Sequence, residues 1–371
     1  MTPSYRIVFY ISGHGFGHAS RSREVIRALL QRRPDMAVTV KSSVPEYVVS
    51  SFPPSRNASA DRRSLGAGGG RTSPIALIPF EADTGMVQYD SLSLDEAESL
   101  RRATAFHADL PQKAAVEARF LKEHGADLVL GDIPPLAFAA AAAADVPSVA
   151  LGNFTWDWIY AGYADAPAGL IRTIREAYAH ASLVLRLPMS GGFDGLESKT
   201  RDLPLVARAS PQDPQDVRRA LGVPDDRPMV LTSFGAYGLR NFDTASLERL
   251  RGYTVITDEL PNRGPEQPFD YQDLVRAADV VVTKPGYGII SECIANRTAI
   301  LYTSRGHFPE YDVLVREMPK YVRAQYIEQE DLLAGRWAPS LERLLASPPP
   351  PITPAINGAE VAAEIISNIL H

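Results

Sequence analysis

The sequence predicts an α/β protein of two domains, each a parallel sheet covered by helices. Short β-branched runs alternate with longer helical stretches, the order that a parallel sheet with crossover helices requires. A proline-rich stretch just past the middle interrupts this alternation, which then restarts. The length of 371 residues agrees, since ~150 residues per domain makes it a prior for about two domains.

Taken in order, the apolar run Arg6 to Ile11 is too short for a signal-peptide core and reads as a first buried strand. Further strands are expected at Ala37 to Lys41, Ile75 to Pro79, Asp127 to Leu130, Ser148 to Leu151 and Leu183 to Leu187. A helix over about Arg21 to Gln31 carries Val25, Ile26, Leu29 and Leu30 on one face. A second spans about Asp95 to His124, with a possible break at Pro111. From Phe52 to Pro74 the chain turns to Pro, Ser, Arg and Gly with little to bury, which predicts a mobile loop over 52–74. Leu203 to Pro228 holds five prolines and reads as a linker. Strands resume at Met229 to Thr232, Tyr253 to Thr257, Val280 to Thr283 and Ala299 to Tyr302. The expected domains are therefore 1–206 and 207–355, with an amphipathic helix in 356–371 returning to the first.

Composition excludes several classes of function. Hydrophobic residues at 45% and charged residues at 22% describe a folded globular chain rather than a disordered or membrane one. A net charge of -6 leaves no overall positive field for a nucleic-acid backbone, so no nucleic-acid partner is expected. The longest apolar stretch, Leu136 to Ala144, falls far short of the ~20 residues of a membrane span. Cys293 is the single cysteine, which forbids an intrachain disulfide and any thiol-rich metal site and suits a cytoplasmic protein.

Three glycine turns could carry chemistry. Gly13-His14-Gly15-Phe16-Gly17-His18 follows the first strand and leads into a helix, whose N-terminus favours negative charge. A dinucleotide fingerprint would need glycine where His18 stands, and the second strand ends in Lys41-Ser42-Ser43 with no acid for a ribose. His14 and His18 are four apart, but Gly15 follows where a helical metal motif has glutamate, so no metal site is expected. His18 is left as either a reactive base or a cap on the first helical turn. The second turn, Ser233-Phe234-Gly235, offers backbone N–H groups to a phosphate. In the third, Val282-Thr283-Lys284-Pro285-Gly286-Tyr287-Gly288 enters a helix bearing Ser291 and Glu292. Lys284 puts a cation beside the loop, and Glu292 either accepts two ribose hydroxyls or only complements the helix dipole.

This order of motifs resembles the GT-B glycosyltransferases, including the MurG-type enzymes and the plant small-molecule glycosyltransferases. The resemblance implies two Rossmann-like domains facing across a cleft, His18 as catalytic base and Glu292 on the ribose of a nucleotide sugar. Lys284 stands where the plant enzymes have a phosphate-binding histidine. Asp132 resembles the aspartate that orients the base, its alternative being a helix cap before Pro134-Pro135. A closer likeness, to the N-terminal, glycosyltransferase-like half of plant L-arabinokinases, covers nearly the whole chain. It runs through Gly13 to Arg21, Asp83 to Gln88, Asn153 to Tyr160, Gly286 to Glu292 and Asp331 to Trp337. No small-molecule kinase phosphate loop follows, so arabinokinase activity is not expected.

The resemblance implies an inverting, metal-independent transfer with no cofactor beyond the nucleotide-sugar co-substrate, UDP-linked by preference. The donor is expected to meet Ser233, Gly235, Lys284, Gly286, Gly288, Ser291 and Glu292, with Glu310 and Asp312 on its sugar. The acceptor, a small molecule or glycan, is expected at His14, Gly17, Asp83 and Trp156, although core packing competes for the aromatic residues. The rivals are a catalytically silent nucleotide- or sugar-binding module and a nonhydrolysing UDP-sugar epimerase.

Overall fold

A computed structural model describes residues 3–44, 74–235, 238–240, 242, 244–257 and 269–370. Two parallel sheets organise it. The N-terminal lobe is built on β1 (Tyr5–Ile11), β2 (Met36–Ser42), β3 (Ile75–Pro79), the short pair β4 (Val87–Gln88) and β5 (Leu94–Asp95), β6 (Leu128–Asp132), β7 (Ser148–Phe154), β8 (Leu183–Gly191) and β9 (Thr200–Asp202). Seven of these pair in the order β3-β2-β1-β6-β7-β8-β9, every neighbour parallel. The C-terminal lobe comprises β10 (Met229–Ser233), β11 (Thr254–Thr257), β12 (Val280–Thr283), β13 (Ala299–Tyr302) and β14 (Ala324–Tyr326), in the order β11-β10-β12-β13-β14.

The central strands are apolar throughout because helices cover both faces. Ile7 to Ile11 and Val280 to Val282 are fully or almost fully buried. In each sheet the strand order reverses beside the first strand, at β1/β6 and at β10/β12, so a crevice opens at their C-terminal ends. The His18 and Glu292 turns stand at those two crevices.

The last helix, Gly358–Ile369, lies on the first, Phe16–Arg32. Ala359, Ala362, Ala363 and Ile366 join Val25, Ile26 and Leu29 in one buried cluster. A side chain at Gly358 would run into the Pro204 carbonyl at 2.2 Å, so the helix starts flush against the chain leaving the first sheet.

Several local expectations are adjusted. The long second helix is two, Glu96–Ala108 and Leu110–His124, and Pro111 sits in the first turn of the latter, where its missing N–H costs nothing. The proline-rich 203–228 stretch contains a helix, Pro214–Ala220, capped by the Asp213 carboxylate on the Gln215 N–H. The loop expected over 52–74 lies outside the described residues except for Pro74.

Candidate active site

The turn after β1 starts a helix whose N-cap, Gly15, has φ 77°, a left-handed value that favours glycine. His18 follows in the first turn, and Asp132 closes β6, the neighbour of β1. Parallel pairing of these two strands brings their C-terminal ends together. His18 Nδ1 is 2.8 Å from Asp132 Oδ1, with His18 9% and Asp132 0% exposed. Nδ1 also lies 3.0 Å from Arg21 Nη2; in the tautomer whose Nδ1–H donates to the carboxylate, Nε2 is left with its lone pair, the arrangement a general base needs.

Asp132 is shared. Arg21, three residues after His18 on the same helix face, donates to it through Nε at 2.8 Å and Nη2 at 2.5 Å, and Ser22 Oγ donates at 2.7 Å. Burial pulls this carboxyl upward, but Arg21, and after it His18, outweigh burial and hold it well below the usual carboxylate range. Arg21 continues through Nη1 to Asn153 Oδ1 at 2.7 Å, and Asn153 Nδ2 donates across the cleft to Glu310 Oε1 at 2.7 Å. Glu310 lies 3.8 Å from Arg305 Nη1, which itself donates to the Pro285 carbonyl in the third glycine turn. A buried polar chain therefore runs from His18 to the opposite lobe.

The glycine turns of the two lobes touch. A Cβ on Gly288 would lie 3.1 Å from the Cα of Gly17, a tight contact that glycine at 288 avoids. Across the same seam Ser20 Oγ donates to Glu292 Oε1 at 3.2 Å, and Lys284 Nζ donates to Gln88 Oε1 at 3.1 Å. Arg208 also binds Glu292 Oε1, whereas Oε2 of this residue, 4% exposed, has no partner. Burial first, and Arg305 next, depress the Lys284 ammonium to about 7. A cavity of about 800 Å³ opens in the seam between Ser93, Leu94 and Glu96 on one side and Ser304, Gly306 and His307 on the other.

His14 and Asp83 form a second group beside His18. His14 Nε2 lies 3.2 Å from Asp83 Oδ1, and Asp83 Oδ2 accepts from Ser12 Oγ at 2.6 Å and Trp156 Nε1 at 3.0 Å. Burial pulls the His14 imidazole down, and its contact with Asp83 raises it above its ordinary value. Burial likewise pulls the Asp83 carboxyl up, and His14 brings it below. Gly85 has φ 51°, and a Cβ there would overlap the His14 ring at 2.0 Å.

Not every expected residue joins the site. Trp156 is 2% exposed, with Phe154, Tyr160 and His14 around its ring, so it holds Asp83 and offers no face to a sugar. Ser291 spends its hydroxyl on the Gly288 carbonyl. Asp312 is exposed, because two positions along a helix turn it away from Glu310. The Ser233 hydroxyl meets the Tyr271 hydroxyl at 2.5 Å, while Gly235 and Gly286 have open space around them. Arg21, Asn153, Arg208 and Arg305 were missed from sequence. Arg21 has a local signal in its helical spacing from His18, and Asn153 opens one of the stretches that carry the family likeness; Arg208 and Arg305 have none. Among the described residues no group of His, Cys, Asp and Glu is arranged to hold a metal ion, and no helix is long and apolar enough to cross a membrane.

No protein-family model matches the chain. It is 31% identical over 373 residues to L-arabinokinase of Arabidopsis thaliana, covering 96% of this chain and 34% of that protein. The chain thus spans about a third of that relative's length. It is 26% identical over 333 residues to a Methanopyrus kandleri protein described as an uncharacterized glycosyltransferase, covering 82% of this chain and 94% of the other. Among solved structures, the glycotransferase of kitacinnamycin superposes with a TM-score of 0.61 at 17% identity over 100% of both chains. Arabidopsis thaliana UGT89C1 complexed with UDP superposes with a TM-score of 0.51 at 14% identity, over 99% of this chain and 94% of that one. Two parallel-sheet lobes meeting at their glycine turns, matched end to end by these structures, give this chain the GT-B glycosyltransferase fold.

Proposed function

We propose that this chain transfers a sugar from a nucleotide-diphosphate sugar, UDP-linked by preference, to an acceptor hydroxyl, with inversion and without a metal ion. The observation that carries the reading is the pairing across the seam. A histidine held by a buried carboxylate on one lobe stands beside a glycine turn with a lysine and a half-partnered glutamate on the other. The acceptor oxygen would bond to the anomeric carbon as His18 Nε2 takes its proton. On the opposite face the bond from that carbon to the β-phosphate oxygen breaks, and its electron pair leaves with the nucleoside diphosphate. Helix N-termini and Lys284 supply positive charge where it collects. Glu292 Oε2 is free for a ribose hydroxyl. The Methanopyrus kandleri relative, aligned over most of its length, supports sugar transfer, and the UDP-bound structure of the same fold supports the donor class.

Calorimetry with UDP in EDTA, followed by hydrolysis and transfer assays over UDP- and dTDP-sugars, tests this reading. UDP binding that survives EDTA, with turnover of one donor and an inverted anomeric product by NMR, is expected. Loss of UDP binding in EDTA would refute the metal-free mechanism.

A silent binding module is the second reading. The observation favouring it is that Glu292 and Lys284 already have protein partners in Arg208 and Gln88. It predicts UDP binding with no turnover of any donor.

A further inference from the structure

We propose that Arg305 works with Lys284 as a two-cation clamp on the donor's diphosphate, Arg305 lending its unpartnered Nε to a phosphate oxygen. The proposal rests on the nucleotide-sugar reading and adds a residue that nothing in the sequence pattern marked.

Arg305 is 7% exposed, and its Nε has no hydrogen-bond partner. A buried guanidinium donor left unsatisfied is costly, so its retention calls for an acceptor. Its position is fixed by Nη1 on the Pro285 carbonyl, one residue from Lys284, and by its stacking 4.4 Å over the Phe308 ring. That places the guanidinium at the glycine turn where a helix N-terminus already favours anions. Ser304, Gly306 and His307, its neighbours in sequence, line the seam cavity, so the chain carrying Arg305 borders that space.

Two acids, Asp90 and Glu310, face the two cations, but Glu310 meets Arg305 only at 3.8 Å. Lys284 has a neutral hydrogen-bond partner in Gln88, and Glu310 also accepts a hydrogen bond from Asn153. The groups acting on Lys284 are Arg305, which disfavours its charge, and Asp90 and Glu310, which favour it. A lysine driven down to about 7 by burial and a neighbouring arginine is one that an incoming anion would recharge. The diphosphate is that anion, and it gains a further negative charge as the sugar leaves. The unpartnered Thr303 hydroxyl, two residues before Arg305, gives the same stretch another free polar group.

The experiment is calorimetry on the full chain in EDTA with two probes, UDP and inorganic pyrophosphate. Arg305→Met keeps most of the side-chain length and removes the donors. It should weaken both probes about 10- to 100-fold, because hydrogen bonds to charged groups are at stake. Arg305→Lys should recover part of the loss. A second measurement needs no variant. At pH 8 the empty-site lysine is mostly neutral, so UDP binding should take up close to one proton, read from the buffer dependence of the heat, and Lys284→Met should abolish the uptake. If UDP and pyrophosphate bind but Arg305→Met leaves both within twofold, or no proton is taken up, the clamp is wrong and the donor reading stands. If the unchanged protein binds neither probe, both fall together.

Discussion

The cluster around Asp132 allows a stability prediction worked from its geometry. Asp132 is wholly buried and accepts four hydrogen bonds, two of them from Arg21, which is itself almost fully buried. Removing one partner of such a pair leaves an uncompensated buried charge, at a cost of about 3–5 kcal/mol. Arg21→Met strands the carboxylate, and Asp132→Asn strands the guanidinium. In the double variant neither charge is stranded, so the loss should be less than the sum of the single losses by about 2–3 kcal/mol. Urea unfolding followed by tryptophan fluorescence measures this, since Trp156 and Trp158 both belong to the N-terminal lobe. The pH dependence has a fixed sign. The native Asp132 carboxyl is held below its unfolded value, so its contribution is present above about pH 4 and is lost as pH falls below that. Asp132→Asn should flatten the fall in stability on the acid side. Single losses under about 1 kcal/mol, or strict additivity in the double variant, would show that the four groups are not one buried unit.

Other consequences concern the reaction and the packing around it. Glu292→Ala removes charged hydrogen bonds worth ~1.5–3 kcal/mol each, so UDP affinity by calorimetry should fall about 10- to 150-fold. His18→Ala should leave that affinity within a few-fold and slow transfer to an identified acceptor by about 10²–10⁴; full activity in this variant would make the histidine a structural cap. Gly85→Ala places a methyl group into the His14 ring at a left-handed φ and should cost about 1–3 kcal/mol in thermal unfolding; an unchanged melting temperature would contradict the packing of His14 on that turn. Incubation with ATP and L-arabinose should give no sugar phosphate, and a phosphorylated product from purified protein would overturn that expectation.

The sequence by itself determined the α/β class, because a strand covered on both faces must be apolar along its whole length and a crossover helix must follow it. Val280 to Thr283 and Ala299 to Tyr302 were legible to the residue for that reason. It also placed His18, Lys284 and Glu292 at the ends of strand-to-helix turns, since glycine spacing is local information. The short strands β4, β5, β9 and β14 were not legible, because two or three residues carry no period. Tertiary structure alone decided the partners. Arg21 finds Asp132 at a separation of 111 residues, and Asn153 finds Glu310 at 157. No pattern along the chain encodes which of many carboxylates a buried guanidinium will meet; that follows from strand order. The same cause divided Glu310 from Asp312. Both are acids in one helical turn, but only Glu310 faces the seam, and the phase of that helix against the other lobe is set by packing.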